Sequence, residues 1–218
     1  GNDGIRGVRY IRPDGTTETL GCCALILACN GFGGNPEMVA ELIPAMRDAL
    51  YFGHTGNQGD AIKWGRALNA VMYDLGSYQG HGSVAQPHGI LISWALMMEG
   101  GIQVNALGQR FSNEHDGYSE QARRVIAQPE SMAWNIFDYR LHQFALDFDD
   151  YREADAAGAI QKGNTIGELA SRCNLPASSL SETLAAVRTL AYSSSQDEFG
   201  RLFLKTPLQP PYFSICVT

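Results

Sequence analysis

The longest apolar run of the chain, residues 22–29 (CCALILAC), has the length of a strand. Its near-continuous apolar character is that of a strand buried on both faces. Residues 7–11 (GVRYI) and 16–20 (TTETL) also read as strands, joined by the turn chemistry of Pro13-Asp14-Gly15. Together they predict a small meander feeding the buried run. Asn35 then reads as an N-cap with Pro36 at the first helical position, and Met38, Val39, Leu42 and Ile43 form the apolar face of a short helix that Pro44 limits. Glycines at 56 and 59 lead into a helix from Asp60 to about Ala70, with Ile62, Gly65 and Leu68 at helical spacing. Residues 76–89 are too rich in Gly and Pro for regular structure. Residues 90–98 are apolar, and 102–105 read as a short strand. Helices are predicted over 118–125 and 132–144. Thr165-x-x-Glu168 is a capping box opening a helix through Cys173. Pro176 opens the next helix, with Leu180, Leu184 and Val187 on its core face. Residues 207–211 are extended and 212–217 form an apolar strand. No internal repeat is present.

Composition narrows the class. The 218 residues are 44% hydrophobic and 18% charged, which excludes a disordered chain. A net charge of −7 argues against a nucleic-acid partner, because phosphate binding needs a basic surface. No apolar stretch is long enough to predict a membrane span, and residues 1–10 lack a signal-peptide pattern. Five cysteines, with no CxxC pair and three in one apolar run, predict reduced, buried thiols and a cytoplasmic protein. The histidines and cysteines lack metal-ligand spacing, so no metal is expected. Residues 147–150 (DFDD) are an acidic turn: the Gly and Glu of a calcium loop are missing. The chain opens without Met, on the approach to a sheet, and closes inside a strand. It is therefore read as a fragment of a longer polypeptide, whose unpaired edges would favour a fragment homodimer or aggregation.

Four segments carry candidate chemistry. Residues 24–35 place a Gly-rich turn between a strand and a capped helix, a geometry that lets a ligand approach backbone. It is neither the G-x-G-x-x-G dinucleotide fingerprint nor a P-loop. Residues 54–61 (HTGNQGDA) place glycines before a helix start. Gln79-Gly80-His81 precedes Ser93 by twelve residues. Residues 108–114 (GQRFSNE) are followed four positions later by Tyr118. Each taken alone is equally an ordinary turn, loop or capped helix, and Tyr118 alone is equally a core tyrosine.

In this order the four segments resemble the flavoprotein family of succinate dehydrogenase and fumarate reductase, which also contains ketosteroid 1,2-dehydrogenase. The family's A-T-G-G-F and following G-N match Ala28-Cys29-Asn30-Gly31-Phe32-Gly33-Gly34-Asn35. Its T-G-D-G-I matches Thr55-Gly56 and, after an insertion, Gly59-Asp60-Ala61-Ile62. Its Q-x-H-P matches Gln79-Gly80-His81-Gly82. Its V-N-x-x-G-x-R-F-x-N-E, the most specific, matches Val104 to Glu114. The resemblance covers essentially the whole chain.

The resemblance implies an α+β fold: the substrate-capping domain of a fumarate reductase-type flavoprotein, with a partial FAD-domain β-meander attached. Residues 1–78 would be part of the FAD-binding domain, 79–206 the capping domain, and 207–218 a strand returning to the FAD domain. The missing FAD-domain segments would belong to the same polypeptide. The implied cofactor is FAD, with Asn30, Gly31, Phe32, Gly33, Gly34, Gly59 and Asp60 as its contacts here. The implied reaction is hydride transfer between flavin and a carbon beside a carbonyl or carboxylate of a small-molecule substrate. His81 matches the histidine that binds the substrate's carboxylate or carbonyl and is expected to be catalytic with Tyr118, Ser93 matches a threonine on the same group, and Gln79 is expected to bind substrate beside them. Tyr118 stands where the fumarate enzymes have a catalytic Arg and the ketosteroid enzymes a Tyr base. Trp94 and Met97 replace a Glu and an Arg of the fumarate proton path. Ketosteroid-type desaturation is therefore expected over fumarate chemistry. A Tyr with the ordinary value of about 10 is a weak base, so a neighbouring donor or the flavin must stabilise its phenolate. Arg110 and Glu114 are expected to brace their loop rather than touch substrate. His115 is expected either to support Tyr118 or to lie at the surface. His142 is expected to be structural. The alternatives are fumarate-type reduction of an unsaturated acid, and a non-catalytic ligand-binding module that kept the capping fold.

Overall fold

The structure is a computed structural model that describes residues 4–204 and 206–218. The first three residues of the expected 1–78 segment and residue 205 of the expected 79–206 segment thus lie outside the described residues. The chain forms two compact units, residues 1–47 with 51–76 and residues 48–50 with 77–218.

The first unit begins with an antiparallel hairpin, β1 (Gly7–Ile11) and β2 (Thr17–Gly21). Its turn is closed by Asp14, whose carboxylate accepts from both the backbone and the hydroxyl of Thr16. Helix α1 (Pro36–Leu42) follows, capped by the Asn35 side chain on the Met38 N–H, with Pro36 at its start. Helix α2 (Asp60–Ala67) starts after Gly59, which sits at φ 80°.

Residues 22–29 correct the expectation of a buried strand. They form no strand, and Ile26 is 89% exposed. A strand buried on both faces needs a neighbour on each edge. Among the described residues no strand pairs with this run, and only the Cys22 N–H, at its start, reaches the hairpin, at the Arg6 carbonyl (3.1 Å). The expected meander is therefore a two-stranded hairpin. The thiols change with it: Cys23 and Cys29 are exposed and Cys22 half-buried, while Cys173 is buried and all five are free.

The second unit is an antiparallel sheet packed against helices. Its strands are β3 (Val84–Ala85), β4 (Ile90–Leu91), β5 (Ile102–Val104), β6 (Ala133–Asp138), β7 (Ile160–Gly163) and β8 (Tyr212–Val217). β8 is central. It pairs with β6 along its whole length, with β7 near its start and with β3 at Val217. The segment expected to return to the FAD-domain part is thus, in this structure, an inner strand of the second unit's own sheet.

The helices are α3 (Ala95–Met98), α4 (Tyr118–Ile126), α5 (Tyr139–Ala145), α6 (Asp149–Ala156), α7 (Ile166–Cys173) and α8 (Ala177–Ser193). The Thr165 hydroxyl caps α7 through the Glu168 N–H. The Glu168 carboxylate reaches back to the Asn164 N–H, one residue earlier than in a standard capping box. Leu180, Leu184 and Val187 are buried on α8 in one core with Leu169, Ile136, Phe137 and Ile215.

Residues 132–138 correct a second expectation. The sequence pattern predicts the start of a helix there, but residues 133–138 form β6 and the helix α5 begins only at Tyr139. Asp138 makes the break, because its carboxylate caps α5 on the Leu141 N–H. His142 is structural as expected: it lies flat on Phe213 at 4.4 Å and shares a 2.8 Å hydrogen bond with the Tyr151 hydroxyl.

Candidate active site

In the first unit the two Gly-rich segments are zipped together. The Gly34 N–H donates to the Asn57 carbonyl at 2.9 Å and the Gly59 N–H to the Gly31 carbonyl at 3.2 Å. Gln58 donates to the carbonyls of Gly34 and Thr55, both at 2.6 Å. This explains most of the glycines without a ligand. A Cβ on Gly33 would overlap the Tyr51 ring. One on Gly34 would lie 2.7 Å from the Thr55 carbonyl, and one on Gly59 would lie 2.5 Å from the Met38 sulfur. Gly31 is different. It is exposed, follows Asn30 at φ 65°, and a Cβ there would meet nothing within 4 Å. Phe32 is buried, and Asp60 is exposed in the first turn of α2.

In the second unit the loop 79–83 lies backbone-to-backbone on the start of α4. The Gly80 N–H donates to the Ser119 hydroxyl at 2.9 Å, and the Gly82 N–H to the Tyr118 carbonyl at 3.2 Å. A Cβ on Gly82 would come within 2.9 Å of the Gln121 carbonyl carbon and 3.0 Å of the Ala122 nitrogen. The approach therefore requires glycine. Gly82→Ala is expected to destabilise the protein by about 1–3 kcal/mol, as overpacking against backbone does. Urea unfolding checks this; an unchanged midpoint would mean that the loop does not dock this closely.

This docking brings three rings together. His81 stacks on Tyr118 at 5.2 Å and meets Trp94 edge-on at 6.1 Å. Gln79 donates its side-chain N–H to the Tyr118 hydroxyl oxygen at 3.0 Å. The His81 Nδ1 is buried without a hydrogen-bond partner among the described residues. Burial holds the His81 imidazole below its ordinary value and so favours the neutral ring. Tyr118 remains 38% exposed. Sequence reasoning thus named three members of the corner, Gln79, His81 and Tyr118, and left the donor to Tyr118 unidentified. Ser93 lies at the start of α3, where its hydroxyl accepts from the Ala95 N–H at 3.3 Å. His115 turns to the Met97 carbonyl at 3.3 Å rather than to Tyr118.

Trp94 and Met97 are core residues, and the indole N–H donates to the Glu114 carbonyl at 3.0 Å. Glu114 is fully buried. Its carboxylate pairs with Arg110 at 2.6 Å and Arg201 at 2.9 Å, and accepts from the Gln103 N–H at 2.9 Å. Arg110 also pairs with Asp197. Two buried cations thus meet two buried anions. Burial pushes the Glu114 carboxyl up, but the Arg110 hydrogen bond and the charges of Arg201 and Arg110 outweigh it and hold the group at about 2. Arg110 and Glu114 brace the loop, as expected. Asp197 and Arg201 were missed, as were the buried amides Gln103, Gln121 and Asn135.

A model of the FAD binding domain family matches residues 1–215, so the chain belongs to that family of FAD-dependent oxidoreductases. It is 29% identical over 199 residues to a Shewanella frigidimarina (strain NCIMB 400) protein described as "Probable fumarate reductase Ifc3", covering 91% of this chain and 33% of that one. It is 28% identical over 197 residues to the 3-oxosteroid 1-dehydrogenase of Mycobacterium tuberculosis (strain H37Rv), covering 81% and 34%. Among solved structures, the open conformation of a flavocytochrome c3 fumarate reductase superposes with a TM-score of 0.76 at 26% identity, over the whole chain and 38% of that chain. The chain therefore spans about a third of the length of these relatives.

FAD is the cofactor of the family. The first unit fits part of it at one place. Gly31 is the glycine of its turn whose missing side chain no internal contact explains, beside the exposed residue Asn30. The Gly31 N–H and carbonyl are themselves bonded to the Asn30 side chain and the Gly59 N–H, so what the open turn offers is room for a flat or phosphorylated group to approach closely. No described helix is long and apolar enough to cross a membrane.

Proposed function

We propose that the polypeptide carrying this chain oxidises or reduces the carbon–carbon bond beside a ketone of a sizeable apolar substrate, with ketosteroid-type desaturation as the favoured case. The observation that supports it is the corner made by Gln79, Tyr118 and His81. In the desaturating direction Tyr118 takes a proton from the carbon next to the carbonyl. The Gln79 N–H donates to the Tyr118 oxygen and holds it where the proton is taken. Neutral His81, with its Nδ1 unused, hydrogen-bonds the carbonyl and stabilises charge building there. Bound FAD supplies the hydride acceptor or donor. Asn30, Gly31, Phe32, Gly33, Gly34, Gly59 and Asp60 are the proposed contacts of this chain with it, and Gly31 is the one the open turn supports best. Ser93 is proposed to assist His81.

Residues 1–78 are proposed as part of the FAD-binding domain and 79–206 as the capping domain. Fumarate-type reduction rests on the similarity to fumarate reductases. It is less favoured because Trp94 and Met97, where that chemistry has a Glu and an Arg, are buried among apolar side chains.

Proton exchange tests the role of the corner. In D2O, the FAD-loaded polypeptide should place deuterium on the carbon beside the carbonyl of 4-androstene-3,17-dione, and Gln79→Leu should slow this at least tenfold. Exchange at the rate of the protein-free solution would overturn the reading.

A further inference from the structure

We propose that Gln103 is a positioning residue for the His81–Tyr118 corner: its buried amide ties the loop carrying His81 to the helix carrying Tyr118. Gln103 lies in the middle of β5, flanked by the buried Ile102 and Val104. An apolar side chain would suit that strand. The amide is instead fully engaged. Its Nε2 donates to the Gly82 carbonyl at 2.8 Å and to the Asn135 side-chain oxygen at 2.9 Å. Its Oε1 accepts from the Gln121 amide at 2.8 Å. Gly82 adjoins His81, and Gln121 lies three residues after Tyr118 in α4. One side chain therefore holds both halves of the corner.

The neighbouring bonds serve the same end. Asn135 donates to the Ser83 hydroxyl at 2.7 Å, one residue further along the loop. Gln121 is held by Ser112 at 2.6 Å. The Gln103 backbone N–H binds Glu114, so the ion-pair cluster anchors the strand itself. Burying an amide costs free energy unless each of its groups is bonded, and replacing such a set by apolar groups of like shape can be nearly neutral for stability. What the amide supplies over an apolar residue is direction. It fixes the Gly82 carbonyl, and with it the tilt of the His81 ring against Tyr118.

The proposal rests on the reading of His81 and Tyr118 given above, so its test has a readout independent of turnover. His81 lies over one ring and against the edge of another, so its ring-proton resonances are displaced by both. The experiment uses the FAD-loaded polypeptide labelled at histidine rings, with the His81 signal assigned by its loss in His81→Asn. In Gln103→Met the signal should move towards the position of free imidazole. The kcat for a 3-ketosteroid should fall about tenfold to a hundredfold, the usual result of a small misplacement, with KM changed by less than about threefold. Thr165→Ala, which removes the cap of α7, should lower stability and move neither readout. Should Gln103→Met fail to fold, Gln103→Asn keeps an amide in the core but is one methylene too short to reach Gly82, and the same shifts are expected. A His81 signal that stays in place, or that moves as far in Thr165→Ala, would overturn the proposal. A displaced signal together with full turnover in Tyr118→Phe would retain the positioning and remove the functional reading.

Discussion

Tyr118→Phe is expected to lower turnover of a 3-ketosteroid by a factor of about 10² to 10⁴, the range contributed by a positioned acid or base. The flavin absorbance should be unchanged. The substitution is clean because the phenyl ring keeps the stack on His81, while the oxygen and its bond from Gln79 are lost. The bonds that the backbone of loop 79–83 makes to α4 use the Tyr118 carbonyl and the Ser119 hydroxyl, neither of which changes. Stability should move by less than about 0.5 kcal/mol, as for a half-exposed side chain. Steady-state assays of both proteins against one acceptor decide it. Full activity in the variant would remove Tyr118 from the chemistry.

The second large effect is on stability. Glu114→Gln removes the charge that two buried guanidiniums share, and Arg201 is only 2% exposed. Asp197 still reaches Arg110, but Arg201 is left without its carboxylate. Breaking one partner of a buried pair typically costs about 3–5 kcal/mol, because the remaining charge stays buried. Urea unfolding should show that loss.

The pH dependence follows with a fixed sign. The folded Glu114 carboxyl lies at about 2, below its ordinary 4.5. Its contribution is therefore fully present above pH 4.5 and is lost as pH falls from 4.5 towards 2. Glu114→Gln should flatten that part of the acid-unfolding profile. A profile as steep as the parent's would place the acid sensitivity elsewhere.

What could be read from sequence divides along physical lines. Helices α1, α7 and α8 were legible because their caps and apolar stripes are local, written within a few residues. Strand β6 was not. Its run of Ala133, Ile136 and Phe137 continues into the helix α5 without a break in hydrophobicity. Pairing with β5 on one edge and β8 on the other decides its conformation, and those partners lie about 30 and 80 residues away along the chain. The run 22–29 failed in the opposite sense, since its local pattern promised a strand that no described neighbour pairs with. At the site, the resemblance named His81 and Tyr118. Asp197 is 87 residues from Arg110, and nothing near it in sequence marks the pair. Gln103 did carry a signal: an amide between Ile and Val in a short strand must find partners once buried.

The proposed corner of Gln79, His81 and Tyr118 acts on a ketone only if a ketone substrate reduces the flavin. The most direct measurement mixes the oxidised, FAD-loaded polypeptide with 4-androstene-3,17-dione without oxygen and records the flavin band. Bleaching of the band, with formation of the desaturated ketone, is the predicted result. An unbleached band, together with rapid reoxidation of the reduced polypeptide by fumarate, would contradict the account and assign the corner to dicarboxylate chemistry.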